Sequence, residues 1–335
     1  VVIMVGAHVT DAWVREADRH DSRFFATVFV NGLAAPLFML LAGLALAMAA
    51  ERRAHQGSAD EAGRAALRRG WQVFGLAFLF RLQSQMLGWG PLVNLLKVDI
   101  LNIMGLSMVL ASVLWRTGRT SLGRSLLFLA TALAIIFATP LVRETPLLSA
   151  WPDPLEWYLR PTPGRATFSA FSWTAFLMLG ALLGEAIDAA RTPARERVLQ
   201  ASLGVVAVLA VVGGYAASFL PAIYPVVNFW TTSPTFFFIR FGIVAALIPL
   251  AWLLRLQWAP LLTLGRSSLF VYWIHVEMVY GALGYPLKRL LPWEAAIVAT
   301  VALCVLLHWL VQQKDRWLAA HPLPPALRVF GPVLR

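Results

Sequence analysis

Two residues in the first apolar run of the chain carry chemistry that hydrocarbon does not shelter without cost. His8 and Asp11 stand three residues apart inside Val1–Val14, so on a helix they share a face. Imidazole gives and takes protons near neutrality, and a neighbouring carboxylate can orient it. The pair therefore reads as a general base, or an acyl acceptor, with its orienting group. The plainer reading is a polar pair that fixes helix packing. Ionisable groups inside a membrane span are expensive and mark pathways or sites, which favours chemistry.

Other polar residues interrupt apolar runs further along. His275 ends Ser268-Leu269-Phe270-Val271-Tyr272-Trp273-Ile274-His275. Tyr272 lies on its helical face, while Glu277, two residues on, points roughly the other way. His275 reads as a second catalytic or substrate-binding group, or as a histidine hydrogen-bonded within a bundle. Arg81 breaks Leu76–Phe80 and either snorkels outward or binds an anionic group. Asp99 and Asn102 open a run and read as a helix cap or as substrate ligands. Arg240, within Phe236–Phe241, is expected to neutralise a carboxylate such as Asp11, Asp99 or Glu277, or to hold substrate. Gly265-Arg266-Ser267-Ser268 is no P-loop, but its amides and Arg266 suit a phosphate at a helix start. No His-x3-His or His-Glu-x-x-His spacing is present, so no metal is expected.

These groups need a scaffold, and the composition says which. The chain has 335 residues, 59% hydrophobic and only 13% charged, against about 25% charged in soluble domains. Long apolar runs without strand alternation predict an all-α, polytopic transmembrane helix bundle of about 10 helices. The predicted spans are Val1–Val14, Phe24–Ala50, Gly70–Leu87, Val98–Trp115, Ser125–Val142, Ala166–Ala189, Val198–Leu220, Thr235–Leu254, Pro260–Leu283 and Pro292–Gln312. Residues 143–165 are proline-rich and cannot form one regular helix. The first run is shorter than the roughly 20 residues a span needs, so helix 1 is expected to be truncated. No repeat or second domain is visible, and residues 1–335 read as a single domain.

The net charge is +11. Most arginines sit in short loops between apolar runs, so the charge reads as topology and headgroup contact rather than nucleic-acid binding. Placing the loop after the second span in the cytoplasm puts most Arg and Lys inside, with both termini cytoplasmic. The single cysteine, Cys304, excludes an intrachain disulfide.

Several segments together resemble bacterial membrane proteins related to heparan-α-glucosaminide N-acetyltransferase. They are Met4–Trp13, Ala34–Gly43, Leu67-Arg68-Arg69-Gly70, Asp99–Leu106 and Ser268–His275, in family order. The resemblance implies a transmembrane acyltransferase of the bacterial inner membrane. It would move an acyl group, commonly acetyl, from cytoplasmic acyl-CoA to a hydroxyl or amine of an extracytoplasmic sugar or glycan. Acetyl-CoA is then the expected donor, with Arg68, Arg69, Arg266 and Ser267 as its ligands and no metal. His8, Asp11 and His275 would be catalytic. Arg81, Asp99, Asn102, Arg240, Tyr272 and Glu277 would bind substrate. The family's membrane-proximal histidine lies in the connector after helix 1, which makes His20 a rival to His8. Trp13, Trp89, Trp151, Trp157 and Trp230, with Asp153 and Glu156, suit a sugar at the outer mouth. The expected partners are membrane lipid, acyl-CoA and a glycan acceptor, with homodimerisation left open. The competing reading is a proton-coupled small-solute transporter using the same buried His, Asp and Arg groups.

Overall fold

The computed structural model describes residues 1–88, 91–321 and 331; Trp89 lies outside the described residues. Thirteen α-helices cover most of them: α1 (Val2–Trp13), α2 (Ser22–Asn31), α3 (Ala34–Gln56), α4 (Ala59–Gly88), α5 (Ile100–Thr117), α6 (Ser121–Glu144), α7 (Asp153–Leu159), α8 (Ala170–Ala189), α9 (Pro193–Ala217), α10 (Pro234–Leu253), α11 (Ala259–Arg266), α12 (Ser268–Tyr280) and α13 (Trp293–Ala320). No strand occurs among the described residues, only isolated bridges. Seven segments are long and apolar enough to cross a bilayer: Ser22–Gln56, α5, α6, α8, α9, α10 and α13. The protein is an integral, polytopic, all-α membrane protein.

Most expected spans are observed with ends shifted by a few residues, and the capping chemistry explains where they start. Asp99 caps α5 in a full capping box with Asn102. Thr192 and Ser233 cap α9 and α10, each followed by a proline in the first turn, where the missing N–H costs nothing. The second expected span is divided into α2 and α3. Pro36 sits in the first turn of α3, and its ring denies the preceding turn a continuous hydrogen-bond ladder. The ninth is divided into α11 and α12 at Ser267. The proline-rich connector holds a 3-10 turn and the short α7. Ser172, near the start of α8, takes a left-handed φ of 72°, unusual for a residue with a side chain.

The chain divides into two compact units. The first holds α1, α2, α11, α12 and α13. Its core packs Val5, Val9, Ala12 and Trp13 of α1 against Val271 and Val279 of α12 and Ala296, Leu303 and Leu307 of α13. The C-terminal end of α1 is fixed by main-chain bonds. The Ala12 and Trp13 carbonyls accept from the Arg289 and Leu291 amides, and the Arg15 amide donates to Leu291. These satisfy carbonyls that a helix end leaves open.

The second unit holds α5–α10 with most of α3 and α4. Glycine sets its closest approaches. A side chain at Gly43 would run into the Leu177 carbonyl, and one at Gly180 into the Leu40 carbonyl. Gly180 and Gly184 form a G-x-x-x-G face on α8, the small-residue surface by which helices approach closely in lipid. Gly70 and Gly105 play the same part between α4 and α5. Exposed valines and leucines on α9 (Val205, Val208, Leu209, Val212) supply the apolar exterior a bilayer requires.

Candidate functional site

The first unit brings His8 and His275 together. His8 Nδ1 lies 2.8 Å from His275 Nε2. The ring planes differ by only 9° with centroids 4.9 Å apart, too far for face-to-face overlap, so the rings meet edge to edge. His275 is fully buried, and its Nδ1 stands 2.6 Å from the Val271 carbonyl. A carbonyl only accepts, so His275 carries its proton on Nδ1 and offers a lone pair at Nε2. His8 must then donate from Nδ1. When His8 is neutral, its basic lone pair is at Nε2.

Aromatic rings enclose the pair. Tyr272 is buried and edge-on to both rings, 5.9 Å from His275 and 6.5 Å from His8. Tyr280 meets His8 edge-on at 5.5 Å and donates its hydroxyl to Asp11 Oδ2 at 2.8 Å. Asp11 therefore joins the group through Tyr280, a residue the sequence did not single out. Trp13 donates its indole N–H to the Val279 carbonyl at 3.1 Å, pinning α1 to α12 one turn beyond His275. Asn31 donates to Thr10 at 2.8 Å, tying α2 to the same helix. Arg19 donates to the Asp11 and Thr10 carbonyls. His20 is exposed in the 3-10 turn after α1. Glu277 is half-buried and has no side-chain hydrogen-bond or ion-pair partner among the described residues.

The connector after α1 is held by carboxylates. Asp18 accepts the Trp293 amide at 2.8 Å, capping α13 from outside its own segment. That bond, with Arg15, holds the Asp18 carboxyl below its usual range. Asp21 is held at about 2 by the side-chain hydrogen bonds of Arg23.

Between α11 and α12, Ser267 is buried and accepts from Lys314 Nζ of α13 at 2.8 Å. Arg266 is exposed beside it. Sequence reasoning counted Lys314 only as tail charge. Its i, i+7 relation to the apolar stripe at Leu307 would have placed it on the inward face.

The second unit joins three of the expected substrate ligands. Arg81 donates to Asp99 Oδ2 at 3.1 Å. Asp99 accepts the Ile100 amide at 2.6 Å, and Asn102 donates to the Tyr158 hydroxyl at 3.2 Å. The cap reading and the Arg81 reading are thus one network. Burial raises the Tyr158 phenol, partly opposed by the Asn102 bond. Burial lowers the Lys97 ammonium, aided by Arg81 and Arg165, so this region is electropositive. Arg68 is exposed and Arg69 half-buried on α4. Arg240 was expected to neutralise a carboxylate. Instead its guanidinium lies 4.2 Å over the Phe236 ring, with no ion pair among the described residues, because no carboxylate lines the pocket it faces.

A second buried cluster escaped the sequence reading. Arg124 pairs with Glu51 at 2.6 Å and with Glu185 at 3.0 Å. Trp115 donates its indole N–H toward both carboxylates, at 2.7 and 3.0 Å. Both acids are almost fully buried. Glu185 follows Leu182-Leu183-Gly184, and a carboxylate there is the signal that should have found it. A cavity of about 1000 Å³ between α6, α8, α9 and α10 is lined almost wholly by aliphatic and aromatic side chains and suits hydrocarbon rather than reaction chemistry.

Residues 1–224 match the family described as "Heparan-alpha-glucosaminide N-acetyltransferase, catalytic". No curated protein and no solved structure matches the chain.

Proposed function

The chain belongs to the heparan-alpha-glucosaminide N-acetyltransferase catalytic family and is a membrane-embedded, acyl-CoA-linked acyltransferase; we propose that it moves an acetyl group from cytoplasmic acetyl-CoA to a hydroxyl or amine of an extracytoplasmic sugar or glycan. The observation that carries this reading is the His8–His275 pair, 2.8 Å apart within a family of transferases.

The tautomer chain gives each residue a task. His275 is anchored by its Nδ1–H on the Val271 carbonyl and accepts from His8 Nδ1. His8 Nε2 takes the proton of the acceptor hydroxyl or amine as that atom attacks the thioester carbon. The C–S bond then breaks, and the thiolate of CoA recovers the proton from His8 Nε2. The imidazolium formed in between keeps its Nδ1–H on His275, so the partner holds the ring in place through the cycle. A two-step route uses the same lone pair: Nε2 attacks the thioester carbon, the C–S bond breaks and CoA leaves as thiolate, and the acceptor then attacks the acyl-imidazolium, its proton passing to the freed Nε2 and on to the thiolate. Asp11 acts through Tyr280. Tyr272 and Tyr280 pack edge-on against the pair, and Glu277 lies on the same helix.

Donor and acceptor ligands are assigned on chemistry. Arg266, Ser267 and Lys314 of the first unit are cationic or hydroxyl groups suited to the phosphates of CoA; Arg68 and Arg69 of the second unit carry the same chemistry, each set by itself. Arg81, Asp99, Asn102 and Tyr158 offer the mixed donors and acceptors that a sugar needs, and Arg240 a cation with no ion pair among the described residues. We place the protein in the bacterial inner membrane with both termini cytoplasmic, and treat the whole chain as one functional domain.

The test is acetyl transfer by purified protein in lipid nanodiscs. Wild type should bind acetyl-CoA and acetylate an amino sugar or glycan. His8→Ala should abolish transfer while melting and acetyl-CoA binding persist. Undiminished turnover in that variant would remove His8 from the reaction. Radiolabel retained on wild-type protein and lost with hydroxylamine selects the two-step route.

A further inference from the structure

The close packing of α3 on α8 brings a second set of donors together at one end of that helix pair. Glu51 and His55 are one turn apart on α3, and Asp188 is one turn beyond Glu185 on α8. His55 Nε2 lies 3.0 Å from Asp188 Oδ2 and 4.0 Å from Glu51 Oε2. The three donor atoms all fall within 4.8 Å of one another. Ligand atoms on a tetrahedral zinc ion stand roughly 3.0–3.5 Å apart, given bond lengths of about 2.0–2.2 Å. His55 is 45% exposed, so the small shift that closes the Glu51 gap meets no core.

The contacts around His55 conflict as they stand. Its Nε2 faces the Asp188 carboxylate and also the Arg191 guanidinium, which itself lies 3.2 Å from Asp188. If Nε2 holds a lone pair, it accepts from Arg191 but opposes the carboxylate. If Nε2 holds a proton, it donates to Asp188 but opposes an arginine N–H. No tautomer satisfies both neighbours. A cation that brings no hydrogen of its own satisfies all three donors at once. Glu51 is already oriented for this: Trp115 and Arg124 hold its Oε1, the kind of outer support that fixes metal-ligating carboxylates.

We propose that Glu51, His55 and Asp188 bind a divalent transition-metal ion, with zinc the best match, in competition with the Arg191 side chain. One nitrogen and two carboxylate oxygens suit zinc over magnesium, which favours all-oxygen octahedral shells. Three protein ligands leave a position for water or an anionic oxygen. The site is independent of the histidine pair in the first unit, and its test does not depend on acyl transfer.

The experiment is zinc titration of the intact protein in nanodiscs, by calorimetry and by metal content after dialysis. Wild type should bind one zinc per chain, with magnesium far weaker. His55→Ala and Asp188→Asn should each weaken zinc by about 10–100-fold. Arg191→Ala should tighten it several-fold, because the competing cation is gone, and Arg191→Lys should restore wild-type affinity. All four substitutions lie at exposed or half-buried positions, and unchanged melting without metal confirms that they fold. Absence of stoichiometric zinc in wild type, indifference to His55→Ala, or no tightening in Arg191→Ala would each overturn the proposal.

Discussion

The protein carries two buried polar clusters that solve the same problem in opposite ways. The His8–His275 pair contains no formal counter-charge and shares one hydrogen between two rings. The Glu51–Glu185–Arg124 cluster is held by a guanidinium set between two carboxyl groups and an indole donor. His8 Nε2 can take up and release a proton with little rearrangement, since the bonds from His8 Nδ1 to His275 and from His275 Nδ1 to the Val271 carbonyl stay in place in both states. A guanidinium between two carboxylates cannot change its charge without breaking its own bonds. One arrangement is built to turn over and the other to stay put. Buried polar groups in membrane helices therefore do not all mark reaction sites, and what tells them apart is how their charge is balanced.

The sharpest way to break this comparison is to remove the central cation. Arg124→Met should cost about 3–5 kcal/mol of stability by stranding two buried carboxylates, seen as a large fall in melting temperature, with per-molecule activity of the folded fraction kept. If melting is unchanged, the cluster is not the clasp described. His275→Leu should do the reverse. Transfer should fall by roughly two to three orders of magnitude, within the range for positioned proton transfer, while melting moves little. Equal losses of stability from the two variants would erase the distinction.

Smaller effects sharpen it. Gly180→Ala places a methyl against the Leu40 carbonyl and should cost about 1–3 kcal/mol through overpacking, loosening the α3–α8 pair. A melting curve that does not move would show that this contact yields. The smallest effect is in acid. Asp18 and Asp21 have folded pKa values below their unfolded ones, Asp21 at about 2, so they favour the folded connector above the unfolded carboxyl range. That contribution persists as pH falls to about 4 and is lost as pH approaches 2. Hydrogen exchange at the Trp293 amide, which Asp18 accepts, should accelerate over that interval, and Asp18→Asn should abolish the dependence there.

The sequence made the membrane spans readable because each is a long apolar run closed by arginines, prolines or capping residues. Asp99 and Ser233 announced their helix starts by type and position, whereas Thr192 did not: the span was expected only from Val198, because the arginines and glutamate between read as loop charge. The breaks at Gly32-Leu33 and Ser267 carried local signals, Asn31-Gly32 and Gly265-Arg266-Ser267-Ser268, but each is so short between long apolar runs that the runs were read as single spans. Near His8 and His275, spacing gave faces but no partners, because the contact joins residues 267 positions apart. Tyr280 was missed because nothing local connects it to Asp11. Glu51 and Glu185 were passed over because each stands near arginine-rich loops and reads alone as a topology charge. Glu51 and His55 did offer an i, i+4 pair, half of a ligand set whose other half lies on a different helix.

The main-chain stitching between the end of α1 and residues 289–291 has a consequence for how such a site changes over time. The three bonds that align α1 with the segment leading into α13 use amides and carbonyls alone, so the register does not depend on the side chains of the residues between them, although Arg289 itself sits at a φ of 60°. Lys288 and Leu290, both exposed, are thereby released from structural duty. A lineage can rewrite these residues to admit a new acceptor while His8 and His275 remain at hydrogen-bonding distance.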